Sequence, residues 1–326
     1  MRLFIYEFLT ARGIGRAPRS PDHGMYLEGR AMRDAVVEDF KRIPGTAAFA
    51  FPDEAAPAAQ ESFDEMCKVS DWTIIIAPAF DDCLGRYAES VQRAGGHLLG
   101  PSFDAIRLTS DKFELFNYWR RHNIPTPATT EREPAGCEAF PVVWKPRDGA
   151  GSTMTFLLTS PHDVVRAQAQ LAAEKHHGPM ILQEFVPGRA ASIAFLCGPA
   201  GNTTLLPASQ VLSNDGRFSY LGGEIPLSPD LARRAVQLGQ RTVNCVPGLK
   251  GFIGVDLVLG QAEDGTQDYA IEINPRLTTS YVGLRSLAEF NLAEAMLQSA
   301  TNSLANPLTW REGRIRFASD GSVEQL

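Results

Sequence analysis

The chain has 326 residues, 44% hydrophobic and 21% charged, with a net charge of −7 at pH 7. This excludes a disordered or fibrous chain and predicts about two domains, with room for three. The acidic balance argues against a nucleic-acid or anionic-membrane surface, and no apolar run approaches a membrane span.

The opening Arg2-Leu3-Phe4-Ile5-Tyr6 reads as a short strand and lacks the apolar core of a secretion signal. Residues 25–43 place Ala31, Met32, Ala35, Val36, Phe40 and Ile43 at helical spacing. A second strand is expected at 47–51, and the continuously apolar 72–77 reads as a parallel strand buried on both faces. A helix at 83–94 and a strand at 97–99 continue the alternation, which implies a doubly wound α/β sheet. Ligands of such sheets sit beyond the strand C-termini, where Glu7 and Asp81-Asp82 lie. A helix is expected at 110–122, capped by Thr109 or Ser110, and the extended Asn123-Ile124-Pro125-Thr126-Pro127 marks a domain boundary.

Beyond it strands dominate, at 141–145, 153–158, 180–184, 191–197, 204–212, 252–259 and 268–274. Helices are expected at 161–174, 229–245 and 286–302, the first two announced by Ser160-Pro161 and Ser228-Pro229. The last 20 residues are polar and read as loosely held. Five scattered cysteines with no Cys-x-x-Cys argue against a disulfide framework or zinc knuckle and fit a reduced cytoplasm.

The strongest chemical signal is Ile271-Glu272-Ile273-Asn274-Pro275-Arg276. Strand alternation puts Glu272 and Asn274 on one face, a hard-oxygen set suited to Mg²⁺. The strand just upstream buries Asp256 among apolar neighbours, and the polar loop 260–267 predicts a hairpin that brings Asp256 beside Glu272. A cation is the economical partner for such a carboxylate, the plainer reading being a salt bridge to Arg276 or Lys250. The second signal is Lys145 at a strand end before a loop with Gly149, Gly151 and Ser152. Glycines let backbone N–H groups approach phosphate oxygens, and the lysine supplies charge. The third is Gln183-Glu184-Phe185-Val186 before Pro187-Gly188, a strand end whose backbone groups can read an adenine edge.

In order, Ser110-Asp111-Lys112, Lys145 with its glycine loop, Gln183 to Val186, Asp256, and Glu272-x-Asn274-Pro275-Arg276 resemble the ATP-grasp superfamily over about residues 108–290. The resemblance implies an N-terminal α/β domain (1–107) and two α+β subdomains (108–188 and 189–326) that clasp ATP. It implies that Lys112 and Lys145 contact phosphates or adenine, and that Glu184 with the backbone of Phe185 and Val186 holds adenine. Asp256, Glu272 and Asn274 would bind one or two Mg²⁺ ions, with Mn²⁺ as the alternative, and Arg276 would steady an acyl phosphate. One departure stands out: Gly188 to Ser192 carries no carboxylate for the ribose hydroxyls.

The run Glu272 to Leu284, including Thr278, Thr279, Ser280 and Tyr281, resembles a carboligase-type branch that includes tyramine–L-glutamate ligase of methanofuran biosynthesis. So do Tyr6 to Thr10 and Glu28 to Met32. That branch implies small-molecule carboxylate and amine substrates, no nucleic-acid or membrane partner, and leaves a homodimer open. Arg217 and Arg285 are then candidates for a substrate α-carboxylate and Glu7 for an ammonium, although Arg285 could cap a helix and Glu7 could pair with a nearby arginine. Another amino-acid or peptide ligase, or a non-catalytic nucleotide-binding regulator, are the alternatives.

Overall fold

A computed structural model describes the chain except for residues 52–59, 136–138, 150, 175 and 304–306. The N-terminal part runs β1 (Arg2–Glu7), α1 (Phe8–Arg12), α2 (His23–Lys41), β2 (Ala47–Phe49), α3 (Gln60–Lys68), β3 (Trp72–Ile76) and α4 (Cys83–Arg93). Its strands form a parallel sheet in the order β2-β1-β3, with Leu98 bridged in parallel to Thr73. The period-2 alternation of β1 explains why both sheet faces are covered. Leu3 and Ile5 pack with Met32, Val36 and Phe40 of α2, whereas Phe4 and Tyr6 pack with Phe63, Leu84 and Val91 on the other side.

Two helices follow, α5 (Phe103–Ser110) and α6 (Lys112–Arg121). The expected single helix capped at 109 or 110 is therefore corrected. Asp111 is the cap, accepting from the backbone N–H of Phe113 and Glu114 at 3.0 Å each.

An antiparallel sheet in the order β4-β7-β5-β6 comes next, from β4 (Thr129–Thr130), β5 (Val142–Pro146), β6 (Phe156–Leu158) and β7 (Met180–Glu184), with α7 (Pro161–Ala173) on one face. Trp144, Phe156, Leu158, Val164 and Leu171 form its small core.

The remaining chain builds a larger sheet from β8 (Arg189–Gly198), β9 (Gly201–Thr204), β10 (Ala208–Leu212), β11 (Tyr220–Ile225), β12 (Gly251–Leu259), β13 (Tyr269–Asn274), β14 (Ile315–Ala318) and β15 (Val323–Gln325). Its order is β13-β12-β8-β10-β11-β14-β15, with β9 paired to β8. Helix α8 (Pro229–Asn244) packs Ala235, Leu238 and Val243 against Ile193, Phe195 and Val255. Helices α9 (Ser280–Leu287) and α10 (Leu292–Ala300) join the core that also holds α2 and β1. They replace the single helix expected at 286–302.

The C-terminal tail is firmly held, contrary to its polar composition. β14 pairs with β11 and β15, and Ile315 and Phe317 are buried. The expected strand at 204–212 is two strands, interrupted at Leu205 to Pro207. Four cysteines, Cys67, Cys83, Cys197 and Cys245, carry free thiols; Cys137 lies outside the described residues.

Candidate active site

The cleft lies between the four-stranded and the larger sheet, with a volume of about 460 Å³. The hairpin expected from sequence forms its floor. β12 and β13 pair antiparallel, with Asp256 directly opposite Glu272 and Gly254 opposite Asn274. Gln210 Nε2 donates to Asp256 Oδ1 at 2.8 Å and Asn274 Nδ2 to Asp256 Oδ2 at 3.0 Å. Lys112 Nζ stands 3.5 Å from Glu272 Oε2 and donates to the Gly149 carbonyl at 3.3 Å.

The electrostatics of this group are unbalanced. Burial, and then the neighbouring Glu272 carboxylate, push Asp256 up to about 8. Burial also acts to raise Glu272, but Lys112, Lys145, the hydrogen bond with Asp256 and Arg276 together hold that carboxyl below the usual range. Lys145, at 7% exposed, is pushed down to about 8 by burial, with Glu272 opposing and Lys112 adding to the drop. Two carboxylates and a carboxamide at hydrogen-bonding range suit a divalent hard cation, which favours oxygen ligands and keeps several waters. Burial and Glu272 disfavour the ionised form of Asp256, and such an ion would favour it. Among the described residues no group of three or more His, Cys, Asp or Glu side chains converges, and the oxygen set here is two carboxylates with a carboxamide.

Across the cleft, Lys145 on β5 faces this floor, and the loop after it turns with Gly149 at φ +132°, Gly151 at +67° and Ser152 at +55°. Lys112, Gly149, Gly151, Ser152, Gln183, Glu184, Phe185, Val186, Asp256, Glu272, Asn274, Arg276, Thr278, Thr279 and Ser280 all line one cavity. At the end of β7 three donors are already engaged, the Glu184 N–H donating to the Ala128 carbonyl at 2.8 Å. Gln183 Nε2 donates to Thr129 Oγ1 at 2.9 Å, and the Phe185 N–H donates to Pro141 O at 3.4 Å. The Phe185 ring stacks at 6.3 Å on Phe218. The salt bridge weighed for Arg276 is not what it makes: Arg276 Nη1 donates to the Leu277 carbonyl at 3.0 Å, and Lys250 lies over the Trp72 ring.

Four expected substrate residues do not line the cleft. Glu7 is 3% exposed and caps α1, accepting from Leu9 N at 3.1 Å and Thr10 N at 2.7 Å. Arg285 grips Asp39 and Glu38 of α2, and Tyr281 donates its hydroxyl to Asp39 at 2.8 Å. Arg217 lies over the Phe156 ring, 4.2 Å from its centroid.

Sequence reasoning missed Gln210, Tyr220 and Glu28, which also line the cleft. Gln210 lies within the strand expected at 204–212 but carries no chemical signal of its own, Tyr220 opens the glycine-containing β11, and Glu28 lies on α2, far away in sequence.

The profile of the ATP-grasp domain matches residues 109–280, and that of the pre ATP-grasp 3 domain matches residues 31–106. The chain is 23% identical to a tyramine–L-glutamate ligase of Methanocaldococcus fervens over 92% of its own length and 94% of the relative's. It is 22% identical to the tyramine–L-glutamate ligase of Methanocaldococcus jannaschii, over 92% and 89% of the two chains. Among solved structures, an ATP-grasp superfamily protein from Archaeoglobus fulgidus superposes with a TM-score of 0.74 at 25% identity, covering 98% of this chain and 92% of the other. With a cleft of lysines, carboxylates and an arginine between two grasping sheets, and a family profile spanning more than half its length, the chain belongs to the ATP-grasp family of ligases and resembles its tyramine–L-glutamate ligase branch.

Proposed function

We propose that the chain is an ATP-dependent carboxylate–amine ligase that joins L-glutamate to tyramine, giving γ-glutamyltyramine, ADP and phosphate. The observation that carries the reaction type is the cleft floor: Asp256, Glu272, Asn274 and Arg276 on one hairpin, facing Lys112 and Lys145. A nucleotide-binding module without catalysis has no use for that full set. The choice of substrates is supported by the tyramine–L-glutamate ligases that align over nearly the whole chain. We also propose 1–107, 108–188 and 189–326 as the three units of the enzyme.

In the proposed reaction the glutamate γ-carboxylate attacks the γ-phosphorus of ATP, the bond to the β-phosphate oxygen breaks, and ADP leaves. The amine nitrogen then attacks the acyl phosphate carbon, loses a proton and expels phosphate. Lys145 and Lys112 hold phosphate oxygens, and the glycine loop covers them. The backbone at Glu184 to Val186 receives adenine. Arg276 presents a planar fork of donors where charge builds in both steps, which a lysine cannot reproduce. Asp256, Glu272 and Asn274 would hold Mg²⁺, or Mn²⁺ in its place, which when bound neutralises phosphate charge. The protein's part is orientation and charge stabilisation, since phosphoryl transfer needs little covalent help.

The test is ADP release by the purified protein with ATP, MgCl₂, L-glutamate and tyramine, each organic substrate also being omitted in turn. ADP formation that needs both, with γ-glutamyltyramine seen by mass spectrometry, is expected. Carboxylate-¹⁸O should appear in the released phosphate. Turnover only with a different acid–amine pair from a panel would reassign the substrates and keep the ligase. Absence of ¹⁸O from phosphate after full turnover would overturn the acyl-phosphate route.

A further inference from the structure

We propose that Glu28, on helix α2 of the N-terminal domain, receives the ammonium group of the incoming amine. This rests on the amide-ligase reading above and adds the residue that selects an amine arriving as its ammonium, whose nitrogen releases one proton to become the nucleophile and a second after it attacks.

Glu28 belongs to neither grasping sheet, yet it lines the cleft together with Arg276 and Thr279. Asp256, Glu272, Asn274 and Tyr220 line the same cavity. The Arg276 guanidinium acts on its carboxyl, and Tyr220 is influenced by both Glu28 and Asp256. Thr279 Oγ1 donates to Glu28 Oε1, and this bond fixes the carboxylate relative to the start of α9. The remaining lone pairs of a carboxylate that accepts one hydroxyl can take further donors.

The charges in the cleft sort by partner. Lys112, Lys145 and Arg276 match phosphate oxygens, and Asp256 with Glu272 matches a metal cation. Of the other acids that line the cleft, Asp148 accepts from the Asp81 N–H at 3.1 Å and Glu184 is exposed, whereas Glu28 is partly buried, with its carboxyl raised by burial and relieved only in part by Thr279 and Arg276. Once Arg276 engages phosphate, a primary ammonium is the partner that restores balance at Glu28. Glu7, its neighbour, cannot serve. A Cβ at Gly29 would lie 2.5 Å from Glu7 Oε1, so Glu7 is packed beneath α2 and spent on the α1 cap.

The experiment compares two nucleophiles on the full-length enzyme. Tyramine is cationic at neutral pH; hydroxylamine is largely uncharged there and traps an acyl phosphate as the hydroxamate. Wild type and Glu28→Gln are assayed with ATP, Mg²⁺, L-glutamate and each nucleophile, and ATP binding by calorimetry reports the fold. The expected result is a fall of about a hundredfold in kcat/KM for tyramine and of less than about tenfold for hydroxylamine. Equal loss with both nucleophiles would overturn the proposal, because Glu28 would then serve Arg276 or the acid. No loss with tyramine would overturn it too. Should Glu28→Gln fail to fold, Glu28→Asp must show the same selective rise in KM for tyramine. Wild type that makes hydroxamate but no tyramine amide sinks the tyramine assignment alone, and the same comparison is then read with the primary amine that the wild type does accept.

Discussion

The β12–β13 hairpin holds two aspartates with opposite fates, one buried and one part-buried at the cleft. Near its loop, Asp268 is 4% exposed and fully answered: Arg234 Nε donates to Oδ2 at 2.9 Å, Arg234 Nη2 to Oδ1, and the Gly260 N–H to Oδ1 at 3.0 Å. Farther along the strands, Asp256 receives two carboxamide donors but faces Glu272, and among the described residues no cation touches it to favour its ionised form. A closed charge holds a loop in place. An open one waits for a ligand. The hydrogen-bond count hardly separates the two sites; the guanidinium in direct contact with Asp268, against carboxamides alone at Asp256, does.

Three experiments press on that contrast, beginning with the largest effect. Arg234→Met leaves Asp268 buried without its cation and should cost ~3–5 kcal/mol of unfolding free energy in urea melts. Turnover per folded molecule should stay near wild type. A loss of rate without loss of stability would erase the distinction between the two aspartates. Glu272→Gln, on the open side, should do the reverse. We expect kcat to fall about a hundred- to a thousandfold, as when a transition-state charge stabiliser is removed. The Mg²⁺ requirement should rise, and unfolding should change by less than ~1 kcal/mol. Wild-type turnover at low Mg²⁺ would remove Glu272 from the metal site.

The smallest effect is on pH. Asp256, pushed up to about 8 by burial and by Glu272, keeps its proton at neutral pH in the metal-free protein. If Asp256 holds Mg²⁺ as proposed, the ion has to expel that proton. Affinity should therefore weaken as pH falls below about 8, by at most about tenfold per unit, and level off above it. Calorimetry in buffers of different ionisation enthalpy would detect the released proton. A flat affinity across that range would place the open charge elsewhere.

The hairpin was legible because its information is local: period-2 alternation and a short polar loop put Asp256 opposite Glu272 without knowledge of anything else. The parallel N-terminal sheet was legible for the same reason. Strand β11 was hidden by composition. Gly222 sits at φ +136°, and a Cβ there would lie 2.1 Å from the Phe317 carbonyl oxygen, so the pairing with β14 demands a residue that argues against a strand. The tail was misjudged because Ile315 and Phe317 are two apolar residues in a polar run, and only their partners across the sheet reveal the core.

The site was harder to read where it depends on distant chain segments. Tyr281 and Arg285 lie in the motif-bearing stretch but turn to Asp39, more than 200 residues away in sequence. Glu7 follows a strand of a doubly wound sheet, the ordinary place for a ligand group, yet the chain turns at once into α1 and claims its oxygens. The sequence offers no mark that Glu28, rather than Glu7, reaches the cleft.

Helix α2 ties two properties together. Glu28 and Asp39 are both on it, eleven residues apart, close to three full turns, so they share one face about 16 Å apart along the axis. Toward one end Glu28 meets Thr279; toward the other Asp39 takes Tyr281 and Arg285. The N-terminal unit is thus keyed to α9 by the same rod that carries a cleft carboxylate. Swapping that unit for one from a relative would exchange a selectivity element and a joint together. Lineages that recombine such domains must carry α9 along with α2, or inherit a mismatched seam.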